Sequence, residues 1–223
     1  MQKSTISNIY KQYQIMPNLQ IHQLRVAAVA KIIVQNLKKE TSKVNQNDVI
    51  TACLLHDIAN IIKFQLTVFP EFARPEGIEY WQKIKNNFVS KYGSNEHQAS
   101  IAIAQELGVS QKVLNYIDAV SFSKAKENVA TDDFGQKICA YSDMRVSPFG
   151  VVQLGERFED LGIRYQKKYA GSEYESDRII FEDGLREIEK QLQQVTDIDL
   201  HQITESGVND TIETLKSWQL LTS

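Results

Sequence analysis

Apolar residues recur along the chain at the three- and four-residue steps of amphipathic helices. Asn18 predicts a cap for a helix from Leu19, whose face runs His22, Val26, Val29 and Ile33. Asn47, with Asp48 behind it, predicts a second helix carrying Val49, Ala52, Cys53 and His56 and ending between Asn60 and Lys63. Pro70 and Pro75 mark 64–76 as irregular. A helix over 78–91 closes at Tyr92-Gly93. Ser94 or Asn95 caps a short helix with His97, Ile101, Ala104 and Leu107, and Ser110 starts another through Val120. The polar run 121–131 reads as a mobile connection. Thr131 or Asp132 caps a helix bearing Phe134, Ile138 and Tyr141, which Ser147-Pro148-Phe149-Gly150 interrupts. Helical spacing resumes over about 151–169, 177–195 and 208–221, with a polar loop tip at 165–178. No repeat and no convincing strand pattern stands out, so the expected fold is all-α.

Composition narrows the class. At 223 residues, with 42% hydrophobic and 24% charged, the chain has the makings of a packed core rather than of disorder. Ten glycines and four prolines are few for a turn-rich β protein. No apolar run approaches the ~18 residues of a membrane span. Met1-Gln2-Lys3-Ser4-Thr5 leads into a polar segment without the apolar stretch of a secretory signal. The two cysteines form no CxxC, so a cytoplasmic setting is expected. A net charge of −3 gives no support for general nucleic-acid binding.

Chemistry concentrates in few residues. His22, His56, His97 and His201 are the four histidines, and His56 is followed at once by Asp57. Imidazole nitrogen and carboxylate oxygen both suit a divalent transition metal. Neighbours on an α-helix diverge by about 100°, so His56 and Asp57 meet one ion only near a helix end or in a groove. His22 and Asp143 are candidates for further ligands from other helices. The plainer alternative is that these histidines are satisfied core residues. Cys53 and Cys139 precede His56 and Asp143 by three and four residues and read as small core residues.

The order His22, His56-Asp57, Asp143 resembles the HD-domain superfamily of metal-dependent phosphohydrolases. Ile21-His22-Gln23-Leu24-Arg25-Val26-Ala27, Ala52-Cys53-Leu54-Leu55-His56-Asp57-Ile58-Ala59 and Tyr141-Ser142-Asp143-Met144-Arg145-Val146 carry the likeness, which spans 18 to about 150. It implies an HD-type helical bundle with a C-terminal helical extension over about 151–223, the whole of 1–223 forming one domain. It also implies one divalent ion (Mn, Fe, Co, Ni, Mg or Zn) held by His22, His56, Asp57 and Asp143. The implied activity is hydrolysis of a phosphate ester by activated water. Arg25, three residues after His22, is a phosphate contact or the partner of a buried carboxylate. Arg145 is a phosphate contact or an ion pair, and Lys63 a second cation or an exposed lysine. Asn60 stands where several nucleotidase branches carry an acid that assists the water, and it cannot act as a base. His97 is one histidine where two-metal members carry two or more, so it reads as a proton donor, a phosphate contact or a helix-start residue.

The Gly-Tyr-Pro signature of the cyclic-di-GMP branch is absent, and Ile58-Ala59-Asn60-Ile61-Ile62 replaces the acidic pair of the guanosine-tetraphosphate hydrolases. What remains is a small phosphorylated substrate, a nucleotide first. A second copy of the chain is a further expected partner, and no membrane is. The competing readings are an HD-fold binding or regulatory module without turnover, and a purely structural helical protein.

Overall fold

Two helices at the centre of the molecule have almost no polar side. The computed structural model describes residues 4–39, 43–121, 124–166 and 172–220. Within it, α2 (Pro17–Gln35) buries Leu19, Gln23, Leu24, every residue from Val26 to Ala30, Ile33 and Val34, and α3 (Gln46–Leu55) buries everything from Val49 to Leu55. A helix apolar all round belongs in the interior. Ala27, Ala28 and Ala30 keep side-chain bulk low along α2, and α3 and α8 (Phe134–Met144) pack against it.

The other elements wrap this centre. α1 (Ile6–Gln12) leads in; α4 (Ile78–Tyr92), α5 (Glu96–Glu106), α6 (Gln111–Ala119) and α7 (Ala125–Ala130) lie between α3 and α8 in sequence. A hairpin of β1 (Val146–Ser147) and β2 (Gly150–Val151) follows α8, then α9 (Leu154–Gln166), α10 (Ser172–Gln194) and α11 (Glu205–Leu215). With eleven helices and one two-residue hairpin among the described residues, the fold is all-α. No helix of these is long and apolar enough to cross a membrane.

Several boundaries differ from the sequence expectation. Pro17 occupies the first turn of α2 and Met16 precedes it, so Asn18 is inside the helix rather than its cap. A proline there loses nothing, because its missing N–H has no helical partner in any case. Asn45, not Asn47, caps α3, its side chain accepting from Asn47 N at 2.9 Å. α3 stops at Leu55 instead of near 60–63. The expected mobile connection over 121–131 contains α7, with Ala125 and Asn128 buried, while residues 122–123 lie outside the described residues. α7 packs on α10, where Gly184 faces Ala125 and Val129. α10 starts at Ser172, so the expected loop tip at 165–178 is helical from there, and its stretch 167–171 lies outside the described residues. The last helix covers Glu205–Leu215 rather than 208–221.

The C-terminal third packs back on the rest. Leu185, Ile188 and Leu192 of α10 and Val208, Ile212 and Leu215 of α11 join the same apolar core as α2 and α3. Lys38 N bonds Val195 O and Ile6 N bonds Trp218 O, each at 2.8 Å. Arg145, just past α8, is 0% exposed. Its guanidinium donates to the carbonyls of Val152 (2.5 Å), Leu200 (2.8 Å) and Ile203 (2.9 Å) and to the Tyr141 hydroxyl (2.7 Å). Tyr141 in turn donates to Glu189 at 2.7 Å. A buried charge is tolerated where hydrogen bonds satisfy it; four of the five guanidinium N–H groups make the bonds just given, and the charge clamps 200–203 to α8.

The start of α8 is fixed by Asp133, where the sequence suggested Thr131 or Asp132. Its carboxylate accepts from Gly135 N at 3.0 Å, Tyr116 Oη at 3.0 Å and Lys112 Nζ at 2.5 Å. Gly135 has to be glycine, because a Cβ there would lie 2.2 Å from Tyr116 Oη. Burial pushes the Asp133 carboxyl up, but Lys112 and Tyr116 outweigh it and hold it below its ordinary value.

Two predictions follow from these ties. Asp133→Ala should cost about 1 kcal/mol near pH 7. Because the folded carboxyl is depressed, its stabilisation is present above the unfolded value of ~3.9 and is lost as pH falls through the folded value. Denaturant titrations at pH 7 and pH 3 should therefore show the gap to wild type narrowing in acid, and a constant gap contradicts the carboxylate's role. Arg145→Lys keeps the charge but not the fork, and should cost at least about 2 kcal/mol, a fall of roughly 4–8 °C in melting temperature; an unchanged melting temperature contradicts the clamp.

Candidate metal centre

The end of α3 sets up the site. The last carbonyls of a helix lack intrahelical donors. His56 Nδ1 lies 2.8 Å from Cys53 O, and since a carbonyl only accepts, Nδ1 carries the proton. Tyr10 Oη donates to Leu54 O at 2.7 Å. Beyond His56 the winding tightens: Ile58 N bonds Leu55 O at 3.1 Å and Asn60 N bonds Asp57 O at 3.0 Å, the three-residue closures of a 3₁₀ turn. His56 and Asp57 therefore stand at a helix end, which is where neighbouring side chains can converge.

Two other helices meet them there. His22, in the second turn of α2, brings Nε2 to 3.1 Å from Asp143 Oδ1, and His56 Nε2 lies 3.2 Å from the same oxygen. The ligand atoms of His22, His56 and Asp143 all lie within 4.8 Å of one another. Asp57 Oδ2 is 3.7 Å from His22 Nε2 and 3.8 Å from His56 Nε2. The imidazole rings are 5.5 Å apart.

The charges agree with a cation at this point. Burial alone lowers the His56 pKa, but Asp57 and Asp143 raise it to about 10. Burial alone raises Asp143, but the hydrogen bonds from His22 and His56 hold it well below the usual carboxylate range. The C-terminal ends of α3 and α8 add their negative dipole ends. With Nδ1 of His56 tied to a carbonyl, Nε2 is the nitrogen left to ligate. Two imidazole nitrogens and carboxylate oxygen fit a divalent ion of the first transition row, Mg or Zn, without choosing among them.

The remaining sequence candidates fall in different places. Asn60 touches the site: Nδ2 donates to Asp57 Oδ2 at 2.5 Å, while its Oδ1 is buried without a partner. A carboxylate cannot donate to an amide oxygen, so this orientation follows from chemistry. Arg25 pairs with Glu205, Nε at 2.9 Å and Nη2 at 2.6 Å from the same oxygen, and Glu205 Oε2 accepts from Val151 N at 2.8 Å. Of its two readings, this geometry is the partnered carboxylate. Arg145 is corrected from phosphate contact to the internal clamp described above, since it is 0% exposed and its guanidinium is bound to Val152, Tyr141, Leu200 and Ile203. Lys63 is exposed and lies 3.2 Å from Glu96. His97 pairs with Asp118 at 3.3 Å. Glu205 and Asp118 were not visible as partners, 180 and 21 residues from Arg25 and His97, because no local spacing marks a contact made only by folding.

The HD-domain family model matches residues 19–123. No curated protein and no solved structure gives a significant match. The match takes in His22, His56 and Asp57 on α2 and at the end of α3, and the helical fold closes the set with Asp143. Residues 19–123, just under half of the chain, are similar to the HD domain, and the order His22, His56-Asp57, Asp143 supports membership of that superfamily.

Proposed function

We propose that the chain hydrolyses a small phosphate ester at one divalent ion held by His22, His56, Asp57 and Asp143. The observation that carries this is the approach of His22, His56 and Asp143 ligand atoms to within 4.8 Å, with the His56 tautomer set by Cys53 O. The ion, when bound, supplies Lewis acidity toward a phosphoryl oxygen and lowers the pKa of water. Asp57 is oriented by Asn60, whose unpartnered Oδ1 is an acceptor for a donor entering the site. Arg25 ties α2 to α11 and keeps the turn bearing His22 in place. His97, with Asp118 behind it, is the candidate proton donor to the leaving group. A nucleotide is the first ester to screen. A cytoplasmic setting suits the two buried free cysteines.

One observation favours a second reading, an HD-fold module that binds without turnover. Asn60 occupies the place beside Asp57 and has no basic function to offer. Turnover separates the two.

The test is hydrolysis of AMP and p-nitrophenyl phosphate by chelator-treated protein, before and after Mn is restored. Activity should appear with Mn and fall at least about a hundredfold in His56→Ala, with helical circular dichroism retained. Activity that survives in His56→Ala contradicts the site; metal binding without hydrolysis selects the binding module.

A further inference from the structure

A recess beside Asp143 runs between α6, α7, α8 and α10. Its volume is about 40 Å³. At roughly 10–15 Å³ of such space per water-sized atom group, it holds about three or four non-hydrogen atoms. A pyrimidine ring alone exceeds that size. The walls are mostly apolar, formed by Val120, Ala125, Ala140, Met144, Leu185 and Ile188.

The polar side chains among the described wall residues are Asp143, Ser121 and Asn128. Asn128 is 1% exposed and both ends of its amide are spent. Nδ2 donates to Ala119 O at 2.9 Å and Oδ1 accepts from Gln136 Nε2 at 2.7 Å. Asp143 faces His22 and His56. The described wall holds no lysine, arginine or histidine. A base edge would lose its hydrogen bonds to water here and find too few in return, which is costly for buried polar groups. A second phosphate would find no cation on the described wall.

We propose that this recess receives the non-phosphate end of the substrate, and that this end is a compact aliphatic group of three or four carbons. The inference rests on the metal-site reading above: Asp143 belongs to both the centre and the recess, so a phosphoryl group at the centre sets its ester substituent at the recess mouth. A nucleotide would have to leave its base outside.

Titration calorimetry on the Mn-loaded protein tests this through binding rather than turnover. The probes are inorganic phosphate, methyl-, ethyl-, propyl-, butyl- and hexylphosphonate, and AMP. Affinity should rise about fourfold per methylene, the equivalent of ~0.8 kcal/mol, and level off beyond butyl. Butylphosphonate should bind more tightly than AMP. Val120→Phe, at the partly exposed end of α6, should flatten the series while the protein keeps its metal. Ala140→Leu on α8 serves the same purpose if that variant does not fold. A flat series in wild type with normal phosphate binding overturns the recess assignment alone, as does AMP binding more tightly than butylphosphonate. Failure of phosphate and every phosphonate to bind overturns the metal-site reading and this inference with it.

Discussion

The hydrogen bond from His56 Nδ1 to Cys53 O is the contact on which the rest turns. It does two things with one proton. It gives an orphan carbonyl at the end of α3 its donor, and it leaves Nε2 as the nitrogen facing Asp143. Helix termination and ligand orientation are thus the same event. The tighter winding through Asn60 then places Asp57 on the same side as His22. A helix that ran on to residue 60 would send His56 and Asp57 about 100° apart into different packing layers.

The C-terminal helices are part of how the centre is held. Two residues inside the likeness to the family, Arg25 and Arg145, are both occupied by this extension. Arg25 sits one turn from His22 and is bound to Glu205; Arg145 sits two residues past Asp143 and is bound to Leu200 and Ile203. The helices that bear His22 and Asp143 are each anchored from outside the 19–123 span by a charged fork. Both interactions are buried or partly buried and directional, so they fix rotation and position where apolar packing alone allows sliding.

What the sequence revealed and what it hid divide along a physical line. The helices around His22, His56 and Asp143 were legible because apolar spacing and a fixed order of ligand types lie within short windows. Gly93 and Ser110 also marked their boundaries correctly, since a cap acts on its own neighbours. Pro17 was a usable signal for the start of α2 that the nearby Asn18 masked. α7 was not legible, because its polar sequence becomes helical through packing on α10, whose Gly184 lies far along the chain. The same holds for Arg145: its pattern is that of a surface arginine, and its burial depends on carbonyls that only the returning 200–203 segment supplies.

The central claim is that His22, His56, Asp57 and Asp143 hold one divalent ion, and anomalous diffraction from Mn-soaked crystals measures it directly. The account predicts a single peak within bonding distance of Nε2 of both histidines, with carboxylate oxygens of Asp143 and Asp57 completing the set. Full-occupancy Mn elsewhere, with His22 and His56 still hydrogen-bonded to Asp143 Oδ1, would contradict it.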